Sequence, residues 1–198
     1  MKILVVADEV VKKFYDYYED GMFKQYDLIL SCGDLPPQYL SFLVTMSGRD
    51  VLYVHGNHDD CYKMTPPEGC ISVEDRIFTY KGLRILGLGG SQKYKDGINM
   101  YTEKEMQRRI RRLGFSLRRH KGFDILLTHA PIQGLGDGED LPHKGFASFR
   151  TLIEKYQPEY MIHGHQHKTY GKGYQKECAL GDTKVINAFG YYVLDIPD

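Results

Sequence analysis

The chain has 198 residues, enough to bury a full core, and its length predicts one domain over residues 1–198. Lys and Arg number 26 and Asp and Glu number 26, so no global field draws the protein toward nucleic acid or an anionic membrane. With 42% hydrophobic and 26% charged residues, the composition matches soluble globular domains and excludes a disordered or collagen-like chain.

Met1 to Ala7 reads as a buried strand, because a short continuous apolar run suits a strand covered on both faces. Only ILVVA follows Lys2 in that run before Asp8, too little for a signal-peptide core or a membrane helix. Cys32, Cys61, Cys70 and Cys178 form no C-x-x-C pair, and a chain of this size needs no disulfide framework, so a cytoplasmic location is expected. Val10 to Glu19 predicts a helix, since Val10, Phe14 and Tyr17 or Tyr18 fall near helical spacing. Residues 27–32 predict a second strand. Pro36-Pro37 then opens a helix through Met46, and residues 51–55 predict a third strand.

From 71 to 89 the pattern becomes two successive strands, ISVEDRIFTY and LRILGLG, with a hairpin turn at Lys81-Gly82. Gly87-Leu88-Gly89-Gly90 lacks the spacing of a dinucleotide loop and reads as a strand end. Thr102 and Glu105 have the spacing of a capping box, after which Met106, Ile110, Leu113 and Leu117 mark one face of a helix weakened at Gly114. Its other face carries Arg108, Arg109, Arg111, Arg112, Arg118 and Arg119, which reads first as a solvated surface and second as a phosphate grip. Near the end, KVINA and YYVLDI flank Phe189-Gly190 and make the carboxyl third partly antiparallel. Parallel βαβ units in front with hairpins behind predict two mixed sheets packed face to face with helices outside, a layered α/β/β/α sandwich.

Five polar clusters each follow an apolar run: Asp8, Gly33-Asp34, Gly56-Asn57-His58-Asp59, Thr128-His129 and Gly164-His165-Gln166-His167. In α/β sheets, ligands collect at the carboxyl ends of strands, which places all five on one rim. A bridging carboxylate offsets the repulsion between two divalent cations held about 3.5–4 Å apart, and Asp34 is the candidate bridge. Imidazoles and a carboxamide oxygen complete a mixed shell that suits Mn, Fe, Zn or Ni better than Ca. His165 and His167 share a parity that turns both rings to one crevice in an extended segment. His163 shares it too, but sits inside the apolar run and reads as a histidine that is packed, or that supports a ligand from behind, before it reads as a ligand itself. His129 heads THAP, where Pro131 favours a loop that projects the ring.

These motifs, from residue 8 to residue 167, resemble the calcineurin-like metallophosphoesterases. The resemblance implies that Asp34 bridges, that Asp8 and His167 serve a first metal, and that Asn57, His129 and His165 serve a second. It implies also that His58 stands unligated beside the substrate phosphate with Asp59 orienting it. The family's D-x-H is broken here, because Asp8-Glu9-Val10 puts an apolar side chain where histidine is usual. Valine cannot ligate, so a weaker first metal is expected. Adjacent side chains diverge on an extended segment, which disfavours Glu9 as the replacement.

The expected activity is dinuclear-metal-dependent hydrolysis of a phosphodiester or small phosphorylated metabolite by attack of a metal-bound hydroxide, with His58 assisting the leaving oxygen. Two alternatives stand beside it: a catalytically impaired binding scaffold of the same fold, suggested by Val10, and a nuclease that holds nucleic acid on the arginine-rich helix. In the glycine-rich segment GLGDGEDLPHKG, read as a loop over the site, Asp137, Asp140 and His143 carry either turn formation or substrate contacts. Cys32 and Cys61 read as packing residues.

Overall fold

The computed structural model of the protein describes residues 1–167 and 175–197. One sheet holds β1 (Lys2–Ala7), β2 (Leu28–Ser31), β3 (Val51–Tyr53), β4 (Ile71–Ser72) and β13 (Gly190–Asp195), in the order β13-β1-β2-β3-β4. The other holds β5 (Arg76–Tyr80), β6 (Leu83–Leu88), β9 (Ile125–Thr128), β10 (Tyr160–His163), β11 (Glu177–Leu180) and β12 (Thr183–Asn187), in the order β11-β12-β10-β9-β6-β5. Parallel strands fill the middle of each sheet, with antiparallel β13 beside β1, β5 beside β6, and β11 beside β12. Both sheets are therefore mixed, as expected. A short pair, β7 (Ser91–Gln92) and β8 (Met100–Tyr101), stands apart.

Strand alternation sorts the apolar side chains into three layers. Ile3, Val5 and Ala7 of β1 meet Leu28, Leu30, Ile125, Leu127, Ile162 and Ile186 between the sheets. Leu4 and Val6 point the other way and pack with Tyr39, Leu40 and Leu43 of α1 (Pro37–Ser47). On the far side, Leu86, Leu126 and Met161 pack against α2 (Glu103–Arg112), α3 (Gly114–Arg119) and α4 (Ala147–Tyr156) through Met106, Leu113, Leu117, Phe149 and Leu152. Burying such side chains on both faces contributes about 1.5–3 kcal/mol for each large one. The result is the α/β/β/α sandwich.

Several expectations change. Residues 12–17 and 20–25 form turns, with no helix over Val10 to Glu19. Bonds such as Phe14 N–H to the Val11 carbonyl (2.8 Å) close short turns, and Phe14 and Phe23 pack ring to ring at 5.7 Å. A ten-residue helix is marginal without strong packing, and here the aromatic contacts are satisfied by turns. ISVEDRIFTY is not one strand: Ile71–Ser72 pairs with β3 in the first sheet, the chain crosses at Asp75 (φ 52°), and Arg76–Tyr80 makes the hairpin with β6 in the second. KVINA and YYVLDI likewise part, since Ala188 passes through the layer between the sheets and delivers β13 to the edge of β1.

The capping box forms as expected. Thr102 Oγ1 accepts the Glu105 amide at 3.3 Å, and the Glu105 carboxylate accepts the Thr102 amide at 2.8 Å. The helix then breaks at Leu113 (φ −75°, ψ −5°), next to Gly114. Arg109 is not on the solvated face. It is 6% exposed and turned toward the sheet, whereas Arg108, Arg111, Arg112, Arg118 and Arg119 are exposed. Among the described residues no helix is long and apolar enough to cross a membrane.

Candidate metal centre

Asp8 follows β1, Asp34 follows β2, Asn57 follows β3, His129 follows β9, and His165 and His167 follow β10. All six thus leave the carboxyl ends of parallel strands, each strand interior to its sheet, and the two sheets bring them to one rim. Close approach depends on glycines in these clusters. A Cβ on Gly56 would fall on the Asp34 carboxylate, and one on Gly164 would lie 2.7 Å from Asp8 Oδ2.

Asp34, His129 and His165 each offer a ligand atom within 4.8 Å of the others. The Cys32 carbonyl can only accept, so His129 Nδ1, at 2.8 Å, carries the proton of that bond. The Nε2 lone pair then faces Asp34 Oδ2 at 3.3 Å and Asn57 Oδ1 at 3.0 Å. Three acceptor atoms converge in a buried place, an arrangement that only a proton or a cation can satisfy. The donor set fits divalent metal on that ground.

The electrostatics of these groups point to the same demand for positive charge. Burial alone would lower the His129 pKa, but the Asp34 carboxylate, with Asp8 behind it, raises it to about 9. Burial alone would raise Asp34, but the His129 charge and hydrogen bond outweigh it and hold the carboxyl well below the usual carboxylate range. His165 falls to about 3, from burial first and the His129 charge second. Its Nε2 lies 2.7 Å from the Pro142 carbonyl and donates there, which leaves Nδ1 as the lone-pair nitrogen.

Asp8 accepts the His165 amide through both oxygens, at 2.9 and 3.0 Å, and its Oδ1 lies 3.8 Å from His167 Nε2. Asp8, Asp34 and His165 all have positive φ (67°, 57° and 67°), a region uncommon for residues other than glycine, though aspartate and histidine enter it more often than most. Such backbones cost about 1–3 kcal/mol each and persist where the surroundings hold them. Val10 is half-buried and packs on the apolar cluster with Phe14 and Phe23, on the α1 side of the sheet. Glu9 is exposed, its amide bonded to the Ala7 carbonyl at 2.7 Å.

His58 is exposed beside the cluster, and its amide donates to Asp34 Oδ1 at 2.7 Å. Asp59 is buried. Its Oδ2 accepts the amides of Gly56 at 2.7 Å and Asp34 at 2.9 Å, so its hydrogen bonds go to backbone and not to the His58 ring. Burial and then the Asp34 charge raise its pKa to about 6. His163 is 2% exposed, with Nδ1 at 2.9 Å from the Gly164 carbonyl, and burial lowers its pKa to about 4.

The segment 134–145 lies against the site. The Pro142 carbonyl receives His165, the His143 carbonyl receives Gln166 Nε2 at 2.6 Å, and Asp137 ties both ends through the amides of Gly134 and Gly145. Asp140 Oδ2 pairs with His143 Nδ1 at 2.6 Å. Cys32 is buried between the sheets; Cys61 is exposed. Sequence reasoning missed Tyr94, whose hydroxyl lies 3.5 Å from Asn57 Nδ2, and Glu74, which binds the backbone at the end of β3. It also misplaced Arg109. Arg109 follows Met106 by three positions and sits beside the apolar stripe, which is the signal that could have located it.

Two mixed sheets between helices, with a candidate cation cluster on their common rim, define the metallophosphoesterase fold. The sequence pattern of the calcineurin-like phosphoesterases matches residues 1–169, and the chain belongs to that family. Among solved structures, the protein TT1561 of Thermus thermophilus is similar, with 18% identity and a TM-score of 0.61 over 96% of this chain and 89% of that one. GAP50, the anchor in the inner membrane complex of Plasmodium, has 12% identity and a TM-score of 0.55 over 96% of this chain and 71% of that one. Vps29 of Chaetomium thermophilum has 13% identity and a TM-score of 0.47 over 99% and 81%. These likenesses concern the fold. No curated protein matches the sequence.

Proposed function

We propose that the chain is a hydrolase of phosphate esters dependent on two divalent cations, acting on a phosphodiester or a small phosphorylated metabolite. In this reading Asp8 and His167 hold the first cation, Asn57, His129 and His165 the second, and Asp34 lies between them. Bound cations would lower the pKa of a water and neutralise the phosphoryl oxygens. The protein's own groups position and insulate. Cys32 fixes the His129 tautomer, the Pro142 carbonyl orients His165, and in this reading the exposed His58 would donate to a leaving oxygen.

The observation that carries this reading is the convergence of Asp34 Oδ2, Asn57 Oδ1 and His129 Nε2 on one buried point. The mixed nitrogen and oxygen donors favour Mn, Fe, Zn or Ni, and Mn is the first to test. Four free cysteines support a reducing compartment and hence the cytoplasm. Hydrolysis of bis(p-nitrophenyl) phosphate and p-nitrophenyl phosphate should rise with added Mn and fall at least about a hundredfold in Asp34→Ala. Turnover indifferent to both would refute the proposal.

One observation favours a second reading, an impaired binding scaffold: Val10 packs into an apolar cluster and supplies no donor to the first cation. Mn binding without turnover on either substrate would select it. The nuclease reading loses Arg109, which is buried, and rests on the five exposed arginines of α2 and α3.

A further inference from the structure

The residue before Gly56-Asn57-His58-Asp59 is held from three directions. The amide of His55 donates to Glu74 Oε2 at 3.0 Å, and its ring Nδ1 lies 3.1 Å from the same oxygen. The Gly90 amide donates to the His55 carbonyl at 2.7 Å. Glu74 Oε1 accepts the Gly89 amide at 2.7 Å, so one carboxylate joins the ends of β3 and β6 across the two sheets.

That carboxylate is itself held by one cation. Arg109, from α2, contacts Glu74 Oε1 through Nη2, donates to Asp75 Oδ1 at 2.9 Å through Nε, and donates to the Gly89 carbonyl at 2.8 Å through Nη1. Its guanidinium carbon lies 4.2 Å from the centre of the Tyr101 ring. Three directed bonds and a flat stacking face suit guanidinium and not ammonium. The Arg109 side chain is 7% exposed and that of Glu74 19%, so solvent screens the pair little.

We propose that Glu74 and Arg109 are positioning residues of the metal centre, setting through His55 the place from which Asn57 reaches His129 and His58 reaches Asp34. The assignment rests on the metal-dependent reading given above. The pair's backbone contacts fall at the strand end that leads into Asn57 and His58. Glu74 holds the His55 amide directly, and Arg109 holds the Gly89 carbonyl next to the Gly90 amide that meets the His55 carbonyl, two residues before a candidate ligand and three before the exposed histidine. Removing the guanidinium leaves a buried carboxylate pulled toward solvent, and the His55 amide loses its anchor.

The test compares Arg109→Met with Arg84→Met. Arg84 lies on β6, at the end away from Gly89, and pairs with Asp124 far from the rim. Hydrogen exchange of residues 54–60, urea unfolding and Mn affinity by calorimetry are measured for each full chain, and turnover separately. In Arg109→Met, protection of 54–60 should fall at least about tenfold relative to β1 and β2, and Mn affinity should fall by a similar factor. In Arg84→Met protection should fall evenly, with Mn affinity kept. Arg109→Lys should recover part of both losses, and should Arg109→Met fail to fold, Glu74→Gln and Arg109→Lys supply the comparison. Protection and Mn affinity equal to the unsubstituted protein, or a uniform loss matching Arg84→Met, would overturn the assignment. Wild-type protein that binds no Mn would refute the metal-dependent reading, while the exchange pattern would still report on the clamp.

Discussion

The Asp59 carboxylate accepts the amide of Asp34 at 2.9 Å, although 25 residues separate them, and the same oxygen takes the Gly56 amide at 2.7 Å. It thereby splices the loop after β2 to the loop after β3. Truncation to alanine strands two amides near the rim, and bonds to a charged acceptor are worth about 1.5–3 kcal/mol each. The two bonds come to about 3–6 kcal/mol, and relief of the repulsion from Asp34 offsets part of that, so Asp59→Ala should lose about 2–4 kcal/mol in urea unfolding, with Asn losing less because its carbonyl still accepts. A loss below about 0.5 kcal/mol for Asp59→Ala would count against this role.

His58 touches the cluster through its backbone amide, and its side chain is exposed. His58→Ala should thus lower turnover about a hundredfold or more, the usual scale for a lost acid or hydrogen-bond donor, with Mn affinity nearly unchanged. Calorimetry and steady-state kinetics on one preparation check this. Equal losses in binding and turnover would make His58 a ligand.

Cations that bind only the folded chain must stabilise it. At about a hundred times Kd the gain is about 2.7 kcal/mol, which for a chain of this length raises Tm by about 5–10 °C. Mn should produce that rise and chelator should reverse it. In Asp34→Asn the shift should shrink to about 1 °C, because a neutral amide no longer offsets the charge of a bound cation. A full Mn shift in that variant would remove Asp34 from the site.

Burial by itself would raise the Glu74 pKa, but His55 and Arg109 hold it down at about 2, against an ordinary 4.5. A depressed carboxylate pKa adds stability that is complete above the unfolded value and is lost as pH falls through the folded one. The contribution, about 3 kcal/mol, should disappear between pH 4.5 and pH 2. Urea midpoints across that window should fall more steeply for wild type than for Glu74→Gln. Parallel slopes would show that Glu74 titrates normally.

Apolar runs and their period announced most strands of both sheets, because burial on two faces imposes a visible composition, but not the half-exposed edge strand β11 or the division of β4 from β5. The turns over 12–17 and 20–25 escaped, since Val10, Phe14 and Tyr18 bury their side chains in turns as readily as on a helix. Arg109 and the parting of β12 from β13 escaped for another reason. Each depends on a partner remote in the chain, Glu74 in one case and β1 in the other.

From the order of its residues alone the protein declares its chemistry: which groups can ligate, that they stand at strand ends, and that valine occupies a place where its family usually has histidine. Local composition suffices for that, because side-chain type and burial period are properties of short segments. Folding settles which atoms meet. Cys32 reaches His129 across 97 positions and Asp8 reaches His165 across 157, and no short-range pattern encodes such distances. The tautomer of His129, the anchoring of Asp34 by Asp59 and the burial of Arg109 follow from the packing of two sheets, whose faces choose their neighbours only when both are complete.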